Sequence, residues 1–137
     1  MSEVLIKTQR EEEMISFLSL HEFQVEELEH EVLQVSREGE LPVYLKVSEN
    51  KLYFEVDLGN VSEIASAELY FELLDLNTEI LPVSFAINNA NPEDPRLILA
   101  EARELGDLSA DELLAVFDAL ELAADKAAET LSKALQS

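Results

Sequence analysis

The sequence predicts an α+β domain, an antiparallel sheet with helices in the order α-β-β-β-α-β-β-α. Three observations predict it. Segments with two-residue hydrophobic alternation come in neighbouring pairs joined by short polar stretches. Segments with three-to-four-residue spacing stand between and after them. The 137 residues include only 3 Gly and 4 Pro, too few for a low-complexity chain. Strands that follow one another through short turns pair antiparallel, whereas parallel neighbours need a long crossover between them. The length suits one domain covering residues 1–137, since domains usually run to roughly 100–200 residues.

In chain order, Thr8 to Leu20 reads as a helix. Met14, Phe17 and Leu18 recur at helical spacing behind Glu11, Glu12 and Glu13, which suit the positive end of a helix dipole. Between Glu22 and Val35 the pattern is mixed, and Val32, Leu33 and Val35 read as a strand. Leu41 to Ser48 alternates Val43, Leu45 and Val47 against Tyr44, Lys46 and Ser48. Leu52, Phe54, Val56 and Leu58 then alternate with Tyr53, Glu55 and Asp57, and Ser48 to Lys51 supplies the hairpin turn between the two runs. This hairpin has one dry and one wet face.

Asn60 has the spacing of an N-cap with Glu63 three residues on, and Ile64, Ala67, Phe71 and Leu74 follow, predicting a helix from Val61 to about Leu76. Pro82 opens another alternation, Val83, Phe85 and Ile87 against Ser84, Ala86 and Asn88. A loop from Asn88 to Pro95 leads to a strand over Arg96 to Glu104. Ser109 and Glu112 have capping-box spacing, with Leu108 and Leu113 placed for a hydrophobic staple. The apolar stripe Leu113, Phe117, Leu120, Ala124, Ala127, Leu131 and Leu135 extends the last helix from Ala110 to about Leu135.

The charge narrows the function. Nine Lys and Arg against 30 Asp and Glu give a net charge of −21. Nucleic acid and anionic membrane surfaces are bound through clustered Lys and Arg, so both are expected to be excluded as partners. A basic partner gains encounter rate from the same field, although acidity also serves solubility alone. With no Cys there is no disulfide, thiolate metal site or cysteine nucleophile. Met1 to Arg10 lacks a basic segment followed by an apolar run, and no apolar stretch reaches 18 residues, so a cytoplasmic location is expected.

No catalytic set is legible, and no catalytic residue, cofactor or metal is expected. His21 and His30 do not form H-E-x-x-H, because the fourth residue after His21 is Val25. Gly39, Gly59 and Gly106 are isolated, so neither a P-loop nor a dinucleotide fingerprint exists, and no Ser lies in G-x-S-x-G. Asn88, Asn89, Asn91, Glu93 and Asp94 form the richest oxygen cluster but lack EF-hand glycine and spacing, which favours a polar hairpin loop over a calcium site.

The residues that point to partner binding are Tyr44, Tyr53, Phe117, Leu120 and Leu131. Tyr44 and Tyr53 fall on the wet phase of adjacent strands, where aromatic rings offer contact area at low entropic cost, unless a helix or second subunit covers them. Phe54 and Phe85 fall on the core phase. The stripe carrying Phe117, Leu120 and Leu131 suits packing on the sheet and helix pairing equally.

The order of elements and the ending, Leu97-Ile98-Leu99-Ala100-Glu101-Ala102 through Leu108-Ser109-Ala110-Asp111-Glu112-Leu113, resemble the fold group of type III secretion chaperones and YbjN-type proteins. Leu41-Pro42-Val43-Tyr44-Leu45-Lys46-Val47-Ser48, the strand after it and Leu81-Pro82-Val83-Ser84-Phe85-Ala86-Ile87 also resemble the YjfI-type bacterial family, a domain of unknown function. That second likeness spans Leu41 to Leu135. It implies a link to a phage-shock protein A paralogue and membrane stress, and it carries over no site residue.

Three functions follow. The leading one is a non-enzymatic binding module, a homodimer, that engages a helical or unfolded protein segment through its sheet face or last helix. The alternative, implied by the chaperone resemblance, is a secretion chaperone holding an exported protein partly unfolded. The third is a metal-dependent hydrolase whose carboxylates only the fold would assemble.

Overall fold

The computed structural model describes residues 11–104 and 108–136. Ten elements follow one another: α1 (Glu11–Leu20), β1 (Gln24–Glu27), a 3-10 turn (Glu29–Glu31), β2 (Val32–Ser36), β3 (Val43–Ser48), β4 (Lys51–Gly59), α2 (Ala67–Ile80), β5 (Ser84–Asn88), β6 (Arg96–Glu104) and α3 (Ala110–Gln136). All six strands form one antiparallel sheet in the order β1-β2-β3-β4-β6-β5. This is the α+β architecture that the alternation predicts, with β1 as an additional strand. The expected first turn at Thr8 to Arg10, and the side chain of Met14, lie outside the described residues.

Local chemistry accounts for the strand pairs. β3 and β4 close on Glu49 and Asn50, both with positive φ (51° and 66°), the pair of conformations that a two-residue hairpin matched to strand twist requires. β4 ends in a bulge between Asp57 and Gly59, where Gly59 takes φ 105° and donates its N–H to Asp57 Oδ1 at 2.8 Å. β1 sits at the sheet edge and holds only Val25 as an apolar residue, half-buried against the core, so its pairing with β2 rests mainly on backbone hydrogen bonds.

The sheet has two unlike faces. One carries Leu33, Val35, Leu45, Leu52, Phe54, Val56 and Leu99, all buried, and the helices pack against it through Leu18 of α1, Leu69 and Leu73 of α2, and Leu113, Phe117 and Leu120 of α3. Phe117 makes an edge contact with Phe54 at 5.8 Å between centroids and a tilted one with Phe23 at 4.7 Å. Alternation sends Val32, Tyr44, Lys46, Tyr53, Glu55 and Asp57 to the opposite face.

One helix differs in detail from expectation and one does not. α2 begins six residues later than the Asn60–Glu63 spacing predicts. Ser66 caps it, its Oγ accepting from Leu69 N at 3.0 Å, while Asn60 Oδ1 accepts instead from Ser62 N in a local turn. The shift turns Leu69, Leu73 and Ile80 inward and leaves Phe71 and Leu74 exposed. The helix stops where Leu81 turns extended ahead of Pro82. α3 keeps its predicted cap, with Ser109 Oγ accepting from Glu112 N at 3.1 Å.

Candidate partner-binding site

Side chains alternate along β3 and β4, so the residues opposite the helices form an open surface by construction. Register places Tyr44 across from Glu55, and Lys46 across from both Tyr53 and Val32. Together with Asp57 these residues line a groove of about 440 Å³, with more apolar than polar surface in its walls. Tyr53 is exposed; Tyr44 and Glu55 are half-buried. A groove with aromatic walls and a few placed polar groups suits an extended chain: the walls supply area and the polar groups fix orientation.

The electrostatics of the groove are uneven. Asp57 Oδ1 accepts from Arg96 Nε at 3.2 Å, and Arg96 Nη1 reaches Asp94 Oδ1 at 3.1 Å, so Asp57 has a counterion. Glu55 has none among the described residues; its carboxylate accepts only a long bond from Asn88 Nδ2, 3.5 Å. Burial, with the neighbouring negative charge of Asp57, holds the Glu55 carboxyl above its ordinary range, and the Asn88 bond acts in the opposite direction.

Of the other sequence candidates, Phe117 and Leu120 lie in the core at 1 % exposure each. A partner reaches them only if α3 leaves the sheet. Leu131 is half-buried against the core, and Leu135 beyond it is exposed. The structure therefore brings Tyr44 and Tyr53 together and keeps Phe117, Leu120 and Leu131 apart from them.

A second uncovered area lies at the sheet's other end. Tyr70 and Leu74 of α2 with Phe85, Ala86 and Ile87 of the edge strand β5 line an almost wholly apolar groove of about 200 Å³, and Phe71 stands exposed on the same helix. Sequence reasoning missed this area because it assigned Phe71 and Leu74 to the core. The absence of charge from Ser84-Phe85-Ala86-Ile87-Asn88, in contrast to β1 at the opposite edge, which ends in two Glu, was the available signal.

The oxygen-rich loop is spent on its own geometry. Asn88 and Asn91 side chains accept from Ala90 N and Glu93 N, and Asp94 binds Asn60 and Arg96. Those partners hold the Asp94 carboxyl below its ordinary range, the Asn60 bond first. No group of three or more His, Asp or Glu able to share a metal ion occurs among the described residues, and no described helix is long and apolar enough to cross a membrane.

The α+β fold has counterparts among known proteins. Residues 7–136 match the family model CesT_Tir_1, which is type III chaperone-like. The chain belongs to the CesT_Tir_1 family. Among solved structures, this CesT_Tir_1 chain is similar to a chain of the heterodimeric complex ExoU–SpcU from the type III secretion system of Pseudomonas aeruginosa. The TM-score is 0.68 and the identity 19%, over 84% of this chain and 94% of the other. It is also similar to YbjN from E. coli, with a TM-score of 0.55 and 10% identity over 96% and 90% of the two chains. At these identities the likeness is one of fold. None of the curated proteins compared matches the sequence. The matches support the chaperone-like group, whereas the YjfI-type likeness and its phage-shock link rest on sequence resemblance alone.

Proposed function

We propose that this chain is a non-enzymatic, chaperone-like binding module that holds an extended segment of an exported protein on the open face of its sheet. The observation that carries the reading is the groove between Tyr44 and Tyr53, on the sheet face away from the helices. Membership of a type III chaperone-like family supports an exported protein as the occupant, ahead of a phage-shock partner. The remaining candidates take a different role: Phe117 and Leu120 hold α3 on the sheet, and Leu131 continues that packing.

The proposal includes a homodimer and a cytoplasmic location, with residues 1–137 acting as one domain. A second copy would cover Tyr70, Phe71, Leu74 and Ile87. β5 is a short, uncharged edge, and such an edge pairs antiparallel with its own copy about a twofold axis.

Affinity capture of the tagged full chain from its native lysate, with mass spectrometry of the retained proteins, tests the reading. An exported protein retained by the wild type and lost from a Tyr44→Ser/Tyr53→Ser variant supports it. Recovery of a phage-shock-type coiled-coil protein would replace it with the membrane-stress reading.

A further inference from the structure

Glu55 is anomalous in its surroundings. It occupies the middle of the open-face groove, directly across from Tyr44 and one alternation step from Tyr53 on its own strand. The other carboxylate of the groove, Asp57, is neutralised by Arg96. Glu55 is half-buried and has no Lys or Arg partner among the described residues. Lys46, the groove's own cation, is in register with Tyr53 and Val32 rather than with Glu55. A partly desolvated carboxylate without a counterion carries a cost that an incoming cation removes.

We propose that the partner segment carries a Lys or Arg side chain that seats on Glu55 between the rings of Tyr44 and Tyr53. Two independent features converge on that chemistry. The carboxylate supplies a charge-assisted hydrogen bond, and the flanking aromatic rings supply faces that attract a cation. The net charge of −21 adds attraction over the whole approach. The occupant is thus an extended, basic-centred segment, with apolar residues on either side of the cation meeting Val32 and the tyrosine rings. This inference rests on the proposed function and adds the chemistry of the occupant.

The test uses the full chain and an array of synthetic ten-residue peptides that alternate apolar and polar positions. Each sequence is made in three versions with Lys, norleucine or Glu at the centre. Fluorescently labelled wild type, Glu55→Gln and Tyr44→Ser/Tyr53→Ser proteins are compared, each first shown to be folded by circular dichroism. The expected result is that the wild type binds Lys peptides about tenfold more tightly than their norleucine counterparts and rejects the Glu set, which is about 1.4 kcal/mol of preference. Glu55→Gln should abolish that preference while retaining the norleucine peptides. If Lys and norleucine peptides bind the wild type equally and both are lost with the tyrosines, the cation inference is overturned and the open-face reading stands. If no peptide binds the wild type, both are overturned.

Discussion

Tyr44 and Glu55 face one another across β3 and β4, on the side of the sheet away from the helices. Their neighbours in sequence, Leu45 and Phe54, face one another on the helix side at about 1 % exposure each. One residue step along the same two strands therefore separates a surface organised for contact from a surface organised for packing. The two kinds of position respond differently to substitution.

Phe117→Ala is expected to destabilise the chain by about 3–5 kcal/mol, the usual range for deleting a buried ring, because Phe117 fills the space between Phe23 and Phe54. Tyr53→Ala removes an exposed ring and should cost under about 1 kcal/mol. Urea titrations of the two variants check the contrast. Comparable losses would mean that Tyr53 is a packing residue.

Arg37 ties the end of β2 to α3. Its Nε and Nη2 donate to both Glu121 oxygens at 2.6 Å, Nη2 reaches Asp118 at 2.8 Å, and the guanidinium lies 4.8 Å from the Phe23 ring centre. A bidentate fork on a partly buried carboxylate exceeds the worth of an ordinary surface pair. Arg37→Ala should therefore cost about 1–2 kcal/mol, and Arg37→Lys most of that, because ammonium cannot reproduce the fork. Unfolding in low and 1 M salt reads it, with a smaller cost expected in high salt.

Glu101 lies on the helix side of β6, its side chain only 3 % exposed; Arg103 Nε donates to Oε1 at 2.9 Å, and Oε2 has no hydrogen-bond partner among the described residues. Burial raises its carboxyl above the ordinary 4.5, with Arg103 opposing. A carboxyl raised in the folded state stabilises when protonated; that contribution is complete below the unfolded value and lost as pH rises through the folded one. Glu101→Gln imitates the protonated form, so it should stabilise the chain at pH 7 by about 1 kcal/mol, with the gain vanishing below about pH 4. Thermal unfolding at both pH values checks this. Destabilisation at pH 7 would show that the Arg103 pair outweighs the burial of Oε2.

Leu74→Glu places a charge in the apolar groove between α2 and β5 without touching the core. The wild type is expected to scatter light as a dimer and the variant as a monomer, with the same circular dichroism spectrum. A monomeric wild type, or a variant that remains dimeric, would reject the α2–β5 corner as the self-contact.

The β3–β4 hairpin was legible in the sequence because seven residues of strict alternation flank a polar turn, and Tyr44 and Tyr53 were legible as surface residues from the same phase. β1 was not, since Gln24-Val25-Glu26-Glu27 half-buries a single apolar residue, Val25, and one residue makes no alternation. α2 was displaced because Asn60 and Glu63 imitate a capping box while Ser66 supplies the cap. That displacement hid Phe71 and Leu74 as surface residues. The stripe of α3 fixed its inward residues Leu113, Phe117, Leu120 and Ala127, but periodicity alone could not say that its own sheet would cover them. The isolation of Glu55 depends on which strand lies beside β4 and on Arg96 choosing Asp57, neither of which is written in local sequence.

The most direct measurement is parallel capture from native lysate with three baits: wild type, Tyr44→Ser/Tyr53→Ser and Leu74→Glu. An exported protein is expected to be retained by the wild type and by Leu74→Glu but lost from the tyrosine variant. Retention of that protein by the tyrosine variant at wild-type level would contradict it.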